Sequence, residues 1–365
     1  MPAPRHRLVG LLLPTVMLAA AACAPAQLTA EPHTWNGSGP AASAPDGSVW
    51  VANEAAGSIT VLDAATGEHV TTLEGIAAPH NVQATADGRS VLAVSGAGAV
   101  VRIDAEKLSV ADHARTGRHP AHVVEDLHGN VYVTTAVDRR VTRYTPDLRR
   151  DIAVELVGAP HGVRLDRSGR VAVVANTGGG SLDVVDTRTG AITGRVRVGS
   201  SPVQVAITPD ADRAYISVAG TREVVAVDLP SGTITGRLEM PAAPAQILLV
   251  DDVLLVANQG TPDRPGDTVS IIDIDEFIVL GSVRTGSGPH GLAADDTGRV
   301  WVTNAFDDTV TAVDVPSRTA LYTVDVGASP NGITFSSTTP SVAPPLMPLL
   351  LPHAIAHPED STHSH

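Results

Sequence analysis

Two stretches of the chain, GPHGLAADDTGRVWVTN at residues 288–304 and APHGVRLDRSGRVAVVAN at residues 159–176, are variants of one another. Each has a proline near its start, continues through a short apolar segment and a tight polar turn, and ends in a second apolar segment. The proline recurs at intervals of 40 to 45 residues, and self-similarity at a fixed period of this length indicates a repeat architecture. The prolines that start the copies are Pro79, Pro120, Pro160, Pro202, Pro244, Pro289 and Pro330.

Each copy contains four strand-like segments. We name them A to D in chain order, with A expected nearest the axis of the fold and D farthest from it. In the copy that starts at Pro160 they read GVRLD, RVAVVAN, SLDVVD and ITGRVRV, with polar turns after A and after C. Short strands in repeats of about forty residues predict a β-propeller. An aspartate closes segment C in six copies, and we interpret it as an Asx-turn residue rather than an acid catalyst. These residues are Asp63, Asp104, Asp186, Asp228, Asp273 and Asp314.

The number of B segments fixes the number of blades. Seven are present, namely VWVAN, VLAVS, VYVTT, VAVVAN, AYISV, LLVAN and VWVTN. The first has no A segment before it, and the last A segment, PNGITF, has no B segment after it. The sequence therefore predicts an all-β fold over residues 45–335, a seven-bladed β-propeller of four-stranded blades in which a C-terminal strand closes the first blade and covers an exposed edge.

At this level the sequence resembles a known family. The segments VWVTNAFDDTVTAVDVPSRT and VWVANEAAGSITVLDAATGE are similar to the YVTN-type repeat, over about residues 45–335. This resemblance implies a seven-bladed propeller of the kind found in exported bacterial binding proteins, including YncE-like ones. It says little about activity, because propellers host unrelated functions.

The N-terminus has the features of an export signal. Arg5 and Arg7 precede an apolar run that ends in LAAAAC, and Cys23 is the only cysteine. LAAAAC resembles a bacterial lipobox, which predicts a signal peptide at 1–22, a lipid anchor on Cys23 and a flexible linker at 23–44. The alternative is ordinary cleavage near residue 26 and release of a soluble secreted or periplasmic protein. Both kinds of processing place the mature protein outside the cytoplasm. A lipid anchor on Cys23 would also hold it at the outer face of the cell membrane.

Composition excludes some functions. The net charge of −14 repels phosphate backbones and argues against nucleic-acid binding. The chain contains only 3 Trp, 4 Tyr and 3 Phe, so a sugar site built on stacked aromatic rings is poorly supported. Gly-rich phosphate loops after a strand, nucleophile elbows and CxxC pairs are missing from the sequence. We expect a monomer.

Histidines and amides follow the repeat prolines. Segment A lies nearest the axis, and the D-to-A and B-to-C connections share one face, so these residues are predicted to rim the central channel on the face where loops carry binding sites. The candidate metal ligands are His80, His122, His161 and His290. The candidate ligand-binding amides are Asn81, Gln204, Gln246 and Asn331.

Neutral imidazole is a common ligand of Zn²⁺ and Cu²⁺, and Zn²⁺ takes three or four such donors at about 2.0 to 2.1 Å. In the alternative reading the rings only hydrogen-bond the backbone of a neighbouring blade. Residues 336–365 are predicted to form a disordered proline- and histidine-rich tail without regular strands. This tail holds a second set of candidate metal ligands, His353, His357, His363 and His365.

The sequence is compatible with three functions. The first is a non-catalytic extracytoplasmic protein that binds a metal ion or small ligand at the rim and passes the metal to a membrane transporter. The second is a protein-interaction scaffold of the cell envelope. The third is an enzyme resembling streptogramin lyases, with acid–base chemistry on the channel face. No paired histidine and glutamate is visible in the sequence to support the third.

Overall fold

The computed structural model describes residues 45–341 and 343–351. The predicted signal peptide (1–22), Cys23, the linker (23–44) and the four tail histidines lie outside the described residues. Within the described part, no helix is long and apolar enough to span a membrane.

Seven antiparallel sheets form the body of the protein, and the predicted fold class is confirmed. Among the described residues, each sheet is one blade with four antiparallel strands, and the sheet of blade 1 carries a fifth strand at its outer edge. The innermost strands of neighbouring blades contact one another around the axis. One short 3₁₀ helix, Thr177–Gly179, follows the strand that ends at Asn176. The strands in chain order are β1 (Ser48–Asn53), β2 (Ser58–Asp63), β3 (His69–Glu74), β4 (Pro79–Ala84), β5 (Ser90–Ser95), β6 (Ala99–Asp104), β7 (Ser109–Arg115), β8 (Pro120–Glu125), β9 (Val131–Thr135), β10 (Arg140–Tyr144), β11 (Arg150–Glu155), β12 (Pro160–Leu165), β13 (Val171–Asn176), β14 (Ser181–Asp186), β15 (Ala191–Arg197), β16 (Pro202–Ile207), β17 (Arg213–Val218), β18 (Glu223–Asp228), β19 (Thr233–Glu239), β20 (Pro244–Val250), β21 (Val253–Thr261), β22 (Arg264–Asp273), β23 (Ile278–Arg284), β24 (Pro289–Ala294), β25 (Val300–Asn304), β26 (Thr309–Asp314), β27 (Thr319–Asp325), β28 (Pro330–Ser336) and β29 (Leu346–Pro348).

The ring closes in blade 1, as the sequence predicts. The last inner strand, β28, pairs antiparallel with β1 and completes the sheet formed by β1, β2 and β3. Ile333 of β28 is buried in one apolar cluster with Val49 of β1 and Trp301 of β25. The closing strand therefore completes blade 1 through hydrogen bonds and packs that blade against blade 7.

The C-terminal tail contains a strand that the sequence does not predict, which corrects the expectation for residues 336–365. Strand β29 pairs in parallel with β3 and adds a fifth strand to blade 1. Proline lacks an N–H group but keeps its carbonyl, and Pro345 O accepts the Thr72 N–H at 2.9 Å while Pro344 O accepts the Thr71 hydroxyl at 2.7 Å. Leu349 is buried against the blade and donates its N–H to Glu74 O. The prolines thus serve as acceptors at a sheet edge.

Every repeat proline is the first residue of an inner strand. A register shift follows it in each blade, and in blade 3 Pro120 lies opposite Thr135 while Val123 lies opposite Val133. Ala121 and His122 therefore stand opposite one residue, which is a β-bulge. Strand residues normally alternate between faces, and a bulge re-aims the two residues that it contains.

In three blades, a hydroxyl side chain connects the bulge to the inner strand of the next blade through hydrogen bonds. Thr134 Oγ1 accepts the His122 N–H at 3.0 Å and donates to His161 O at 2.6 Å. Ser217 and Thr303 repeat this relay in blades 5 and 7. The threonine of the VYVTT and VWVTN segments is therefore structural, because it satisfies the bulge and links adjacent inner strands.

The aspartates that close the third strands are turn residues, as the sequence indicates. Each of the six accepts the backbone N–H three residues further on through a carboxylate oxygen. The core lies between blades rather than in one central cluster. Trp50 and Trp301 are both fully buried there, in separate interfaces that blade 1 forms with blade 2 and with blade 7.

Candidate metal centre at the channel mouth

Three of the four predicted histidine ligands come together. One ring nitrogen from each of His80, His122 and His161 lies within 4.8 Å of the others, and we call these three residues the histidine cluster. They belong to blades 2, 3 and 4, so circular closure brings together side chains that are 81 residues apart in the chain. His290 stands outside the cluster, with its ring centroid 6.4 Å from that of His80.

The β-bulge explains why His122 joins the cluster although it is offset by one position from His80 and His161. His122 is the second residue after its proline, and the other two are the first residues after theirs. Both positions lie within the bulge of their inner strand, which lets a ring from either position turn toward the axis. The position of a histidine relative to its repeat proline therefore does not decide whether its ring joins the cluster.

The backbone fixes the tautomer of His161. Its Nδ1 lies 3.0 Å from Val203 O. A carbonyl oxygen can only accept, so Nδ1 carries the proton of the neutral ring and Nε2 presents a lone pair. That lone pair faces His80, whose Nε2 is 3.2 Å away.

His80 is supported by a carboxylate that no motif or repeat position in the sequence marks. Glu54 follows β1 directly, and its Oε2 lies 3.2 Å from His80 Nδ1. The Asn331 amide nitrogen donates to Glu54 Oε2 and lies 3.0 Å from His80 Nδ1. Burial alone raises the pKa of Glu54, but the hydrogen bonds and charge of His80 and the bond from Asn331 outweigh it and leave the pKa below its ordinary value. Glu54 is therefore ionised at neutral pH.

The spacing of the two facing nitrogens suits a shared ion. When His80 carries its proton on Nδ1, toward Glu54, its Nε2 lone pair points at the lone pair of His161 Nε2. Two such lone pairs repel unless a proton or a cation lies between them. Tetrahedral Zn²⁺ with bonds of about 2.0 to 2.1 Å places its ligand nitrogens about 3.3 Å apart, close to the observed 3.2 Å.

His122 is the most buried member of the cluster, with an exposure of 1%. The Gln204 amide nitrogen lies 3.3 Å from its Nδ1, and Gln204 Oε1 accepts the Val205 N–H, which assigns the amide orientation. Nδ1 of His122 therefore accepts a hydrogen bond from the Gln204 amide. Its Nε2 is buried and has no hydrogen-bond partner among the described residues, which makes this nitrogen the orphaned polar atom of the cluster.

Burial keeps the rings neutral. Desolvation, with the charge of His80 as a second cause, lowers the pKa of His161 to about 3 and that of His290 to about 4. Desolvation also lowers the pKa of His122 well below its ordinary value, and the charges of His161, His80 and Arg164 add to the effect. Neutral imidazole is the form that binds a metal, so these rings are in the ligand form at pH 7.

The four predicted amides divide into two pairs. Gln204 and Asn331 contact the histidines, as described above. Asn81 accepts the Val123 N–H of the next blade at 3.2 Å, and Gln246 accepts the Leu292 N–H at 3.4 Å. The Asn81 and Gln246 side chains thus link inner strands through their oxygens.

Arg164 is a further charged group of the interior that the sequence analysis did not identify. It lies on β12 three residues after His161, and one of its Nη atoms donates to Val163 O at 2.9 Å. Within the described residues it forms no ion pair with a carboxylate, and burial lowers its pKa to about 10.

Arg164 is only partly exposed, and a charge that is partly withdrawn from water without a counter-ion is costly. We therefore expect Arg164→Met to raise the free energy of unfolding by about 1 kcal/mol. Methionine keeps most of the apolar stem, so packing changes little. Urea unfolding at pH 7 measures this effect. A clear loss of stability in Arg164→Met would contradict the interpretation of Arg164 as an uncompensated charge.

A cavity of about 340 Å³ opens above the cluster. Glu54, His80 and His161 line it together with loop residues of blades 2 and 3, including His119. A small ligand can therefore reach His80 and His161 from the loop face, while His122 lies beneath. The arrangement can bind a cation or move a proton at His80.

Fold and site together define the protein as a seven-bladed β-propeller with a histidine cluster at the channel mouth. No protein-family model matches the chain, and no curated protein matches it. Membership of the YVTN-type family therefore stays a prediction.

Several solved structures share the fold. A functionally unknown protein from Desulfotomaculum acetoxidans has a TM-score of 0.70 at 14% identity, over 80% of this chain and 99% of that one. A putative 6-phosphogluconolactonase from Bacteroides fragilis has a TM-score of 0.67 at 17% identity, over 81% and 99%. A streptogramin B lyase has a TM-score of 0.62 at 15% identity, over 71% and 87%. At these identities the likeness concerns the fold alone.

Proposed function

We propose that this propeller is a non-catalytic extracytoplasmic protein that binds one divalent transition-metal ion, Zn²⁺ or Cu²⁺, at the histidine cluster. One observation carries the proposal, namely the two Nε2 atoms of His80 and His161 at 3.2 Å from each other. The outer nitrogen of His161 contacts Val203 O, and the outer nitrogen of His80 contacts both Glu54 Oε2 and the Asn331 amide nitrogen. Metal-bound histidines typically donate their second N–H to a carbonyl or a carboxylate in this way.

The surroundings support a metal with an open coordination position. His122 supplies a third nitrogen within reach, and the cavity above His80 and His161 leaves one side of the cluster accessible. Three protein ligands with a free fourth position are typical of zinc sites that also bind a small ligand.

The contacts also rank the ligands. His161 and His80 already direct Nε2 toward each other, whereas Gln204 donates to His122 Nδ1 and thereby favours a proton on His122 Nε2. Binding a metal ion through His122 Nε2 requires the proton to move to Nδ1, which breaks the hydrogen bond from Gln204. We therefore expect His122 to contribute least of the three histidines to the affinity for the metal ion. In a Gln204→Glu variant the carboxylate would accept a hydrogen bond from His122 Nδ1–H and leave the Nε2 lone pair free, so this variant is expected to bind metal more strongly.

The cellular role rests on the N-terminal sequence. The signal-like segment and Cys23 support export and a lipid anchor, which would hold the propeller at the outer face of the membrane. There it would handle a metal ion and pass it to a transporter. The same anchored position would suit a scaffold of the cell envelope that docks a partner protein on its loop face.

Metal titration tests the proposal. Purified protein freed of metal by dialysis is titrated with Zn²⁺ or Cu²⁺ against a chromogenic chelator. We expect one tightly bound ion that is retained when all four tail histidines are replaced by serine. Outer-shell changes at metal sites cost about 10- to 100-fold in affinity, so Glu54→Gln is expected to lose about that much and His161→Ala more.

The matched control is His128→Ala, since His128 is exposed and lies outside the cluster. This variant should bind as tightly as the unaltered protein. Unchanged binding in His80→Ala/His161→Ala, or loss of all binding with the tail histidines, would refute a metal site at the cluster.

The Glu54–His80 pair favours a second candidate function. A carboxylate that orients a partly exposed histidine in a cavity is suited to general acid–base catalysis. One structural neighbour is a streptogramin B lyase, so a cyclic depsipeptide is the substrate to try first. In this reading His80 transfers the proton and Glu54 stabilises its charged form.

Mass spectrometry of a cyclic depsipeptide incubated with the protein tests this candidate. Ring opening that depends on Glu54 and His80 but persists in His122→Ala would support catalysis without the full histidine cluster. An unchanged substrate would leave metal binding as the function of the site.

A further inference from the structure

A second cavity lies beside the histidine cluster, between blades 2 and 3. Its volume is about 860 Å³, and Gly96 and His119 line both cavities. The wall of the second cavity also includes Gly117, Asp138 and four arginines, Arg115, Arg118, Arg140 and Arg150. We call it the arginine groove. Cavities of about 300 to 1,000 Å³ are typical of sites for small molecules.

The charge of the groove is opposite to that of the protein. Four arginines but only one carboxylate, Asp138, line it, in a chain with a net charge of −14. Arg118 Nε donates to Asp138 at 3.1 Å, and Arg140 Nε lies 3.4 Å from the Asp138 backbone carbonyl. Among the described residues, neither Arg140 nor Arg150 forms an ion pair with a carboxylate. The positive charge of the groove therefore exceeds what its own aspartate can compensate.

The glycines shape the wall around these arginines. Gly117 has φ +147°, and a Cβ there would come within 2.3 Å of Asp138 Oδ2. The absence of a side chain lets Asp138 accept the Arg118 backbone N–H at 2.9 Å. Arg118 is held at one side of the groove by these contacts, and 75% of its side chain remains exposed.

We propose that the arginine groove binds a small molecule carrying at least two carboxylate or phosphate groups. Guanidinium groups bind such anions through paired, charge-assisted hydrogen bonds. An anion with two or more charged groups can engage arginines from β10 and β11 together and relieve their mutual repulsion. A long nucleic acid fits less well, because the charge outside the groove repels it.

Calorimetric titration at low ionic strength tests the groove with two probes, citrate for polycarboxylates and inorganic pyrophosphate for phosphates. We expect one molecule of at least one probe to bind per chain. Arg140→Gln and Arg150→Gln are each expected to weaken binding about 10-fold. Arg188→Gln is the control, because Arg188 is exposed and does not line the groove.

The same titration in the His80→Ala/His161→Ala background separates this inference from the metal proposal, because an anion held only through a metal ion would be lost there. Binding that persists in this background and falls in Arg140→Gln/Arg150→Gln supports the groove. Absence of binding for both probes, equal binding in the double arginine variant, or tighter binding of a single-stranded oligonucleotide than of either probe would overturn it.

Discussion

A chain that ends at Ala328 is expected to lose cooperative folding, because it lacks β28. Without that strand β1 has an unpaired edge, and the apolar cluster between blades 1 and 7 loses Ile333 and Phe335. β28 also contacts the inner strands β4 and β24 on its two sides. Its removal opens the ring at two blade interfaces at once. Circular dichroism and urea unfolding, followed by tryptophan fluorescence, measure the loss.

A chain that ends at Ser337 is the matched control. It keeps β28 and loses only β29 with the segments around it. Leu349 is the best-buried apolar side chain of that region, and full burial of a leucine contributes about 1.5 to 3 kcal/mol. We therefore expect this chain to unfold cooperatively at a free energy lower by about 2 to 3 kcal/mol. If both truncated chains unfolded alike, β28 would not be the closing element of the ring.

The fold could be predicted from the sequence because each blade repeats the same local signals. Each repeat proline marks the start of an inner strand, and the aspartate that closes the third strand in six of the seven blades marks a turn. The missing first segment and the surplus last one together predict the closure by β28. Strand β29 has no counterpart in the repeat, so its pairing with β3 depends on contacts that no local pattern records.

The QGTPDRPGD segment shows the same limit. Its two glycines, two prolines and two aspartates at residues 259–267 are typical of a loop. However, β21 and β22 continue through the segment as a paired extension in which Thr261 lies opposite Arg264. Gly260 adopts φ +72° at the irregularity after Asn258. Turn-like composition therefore does not distinguish a loop from the end of a long hairpin.

The site could be predicted only in part. The prolines place four histidines near the axis, but the selection of His122 over His290 depends on ring orientation within the bulges. Glu54 follows β1 of blade 1, and His80 lies on β4, the inner strand of blade 2. The contact between their side chains therefore joins two blades. No spacing in the sequence records that contact, because it depends on how adjacent blades are aligned around the axis.

Acidification is expected to destabilise the metal-free protein well above the pH at which carboxylates titrate. Histidine has a pKa of about 6.5 in the unfolded chain, whereas in the folded protein the pKa of His161 is about 3 and that of His290 about 4. Below pH 6.5 the unfolded chain therefore binds more protons, and folding loses free energy as the pH falls toward the folded values. The contribution is fully present above pH 6.5.

Urea unfolding of metal-free protein at several pH values from 7.5 to 5 measures this effect. One pKa unit corresponds to 1.36 kcal/mol, and pH 5 lies 1.5 units below the unfolded pKa of both rings, so the two histidines together predict a loss of about 4 kcal/mol at pH 5. His161→Gln/His290→Gln removes both groups and should reduce the pH dependence by more than half, while the exposed His128→Gln should leave it unchanged. Equal slopes in all three proteins would show that these rings ionise freely in the folded state. The neutral donor set on which metal binding depends would then be lost near pH 6.5 instead of persisting in mild acid.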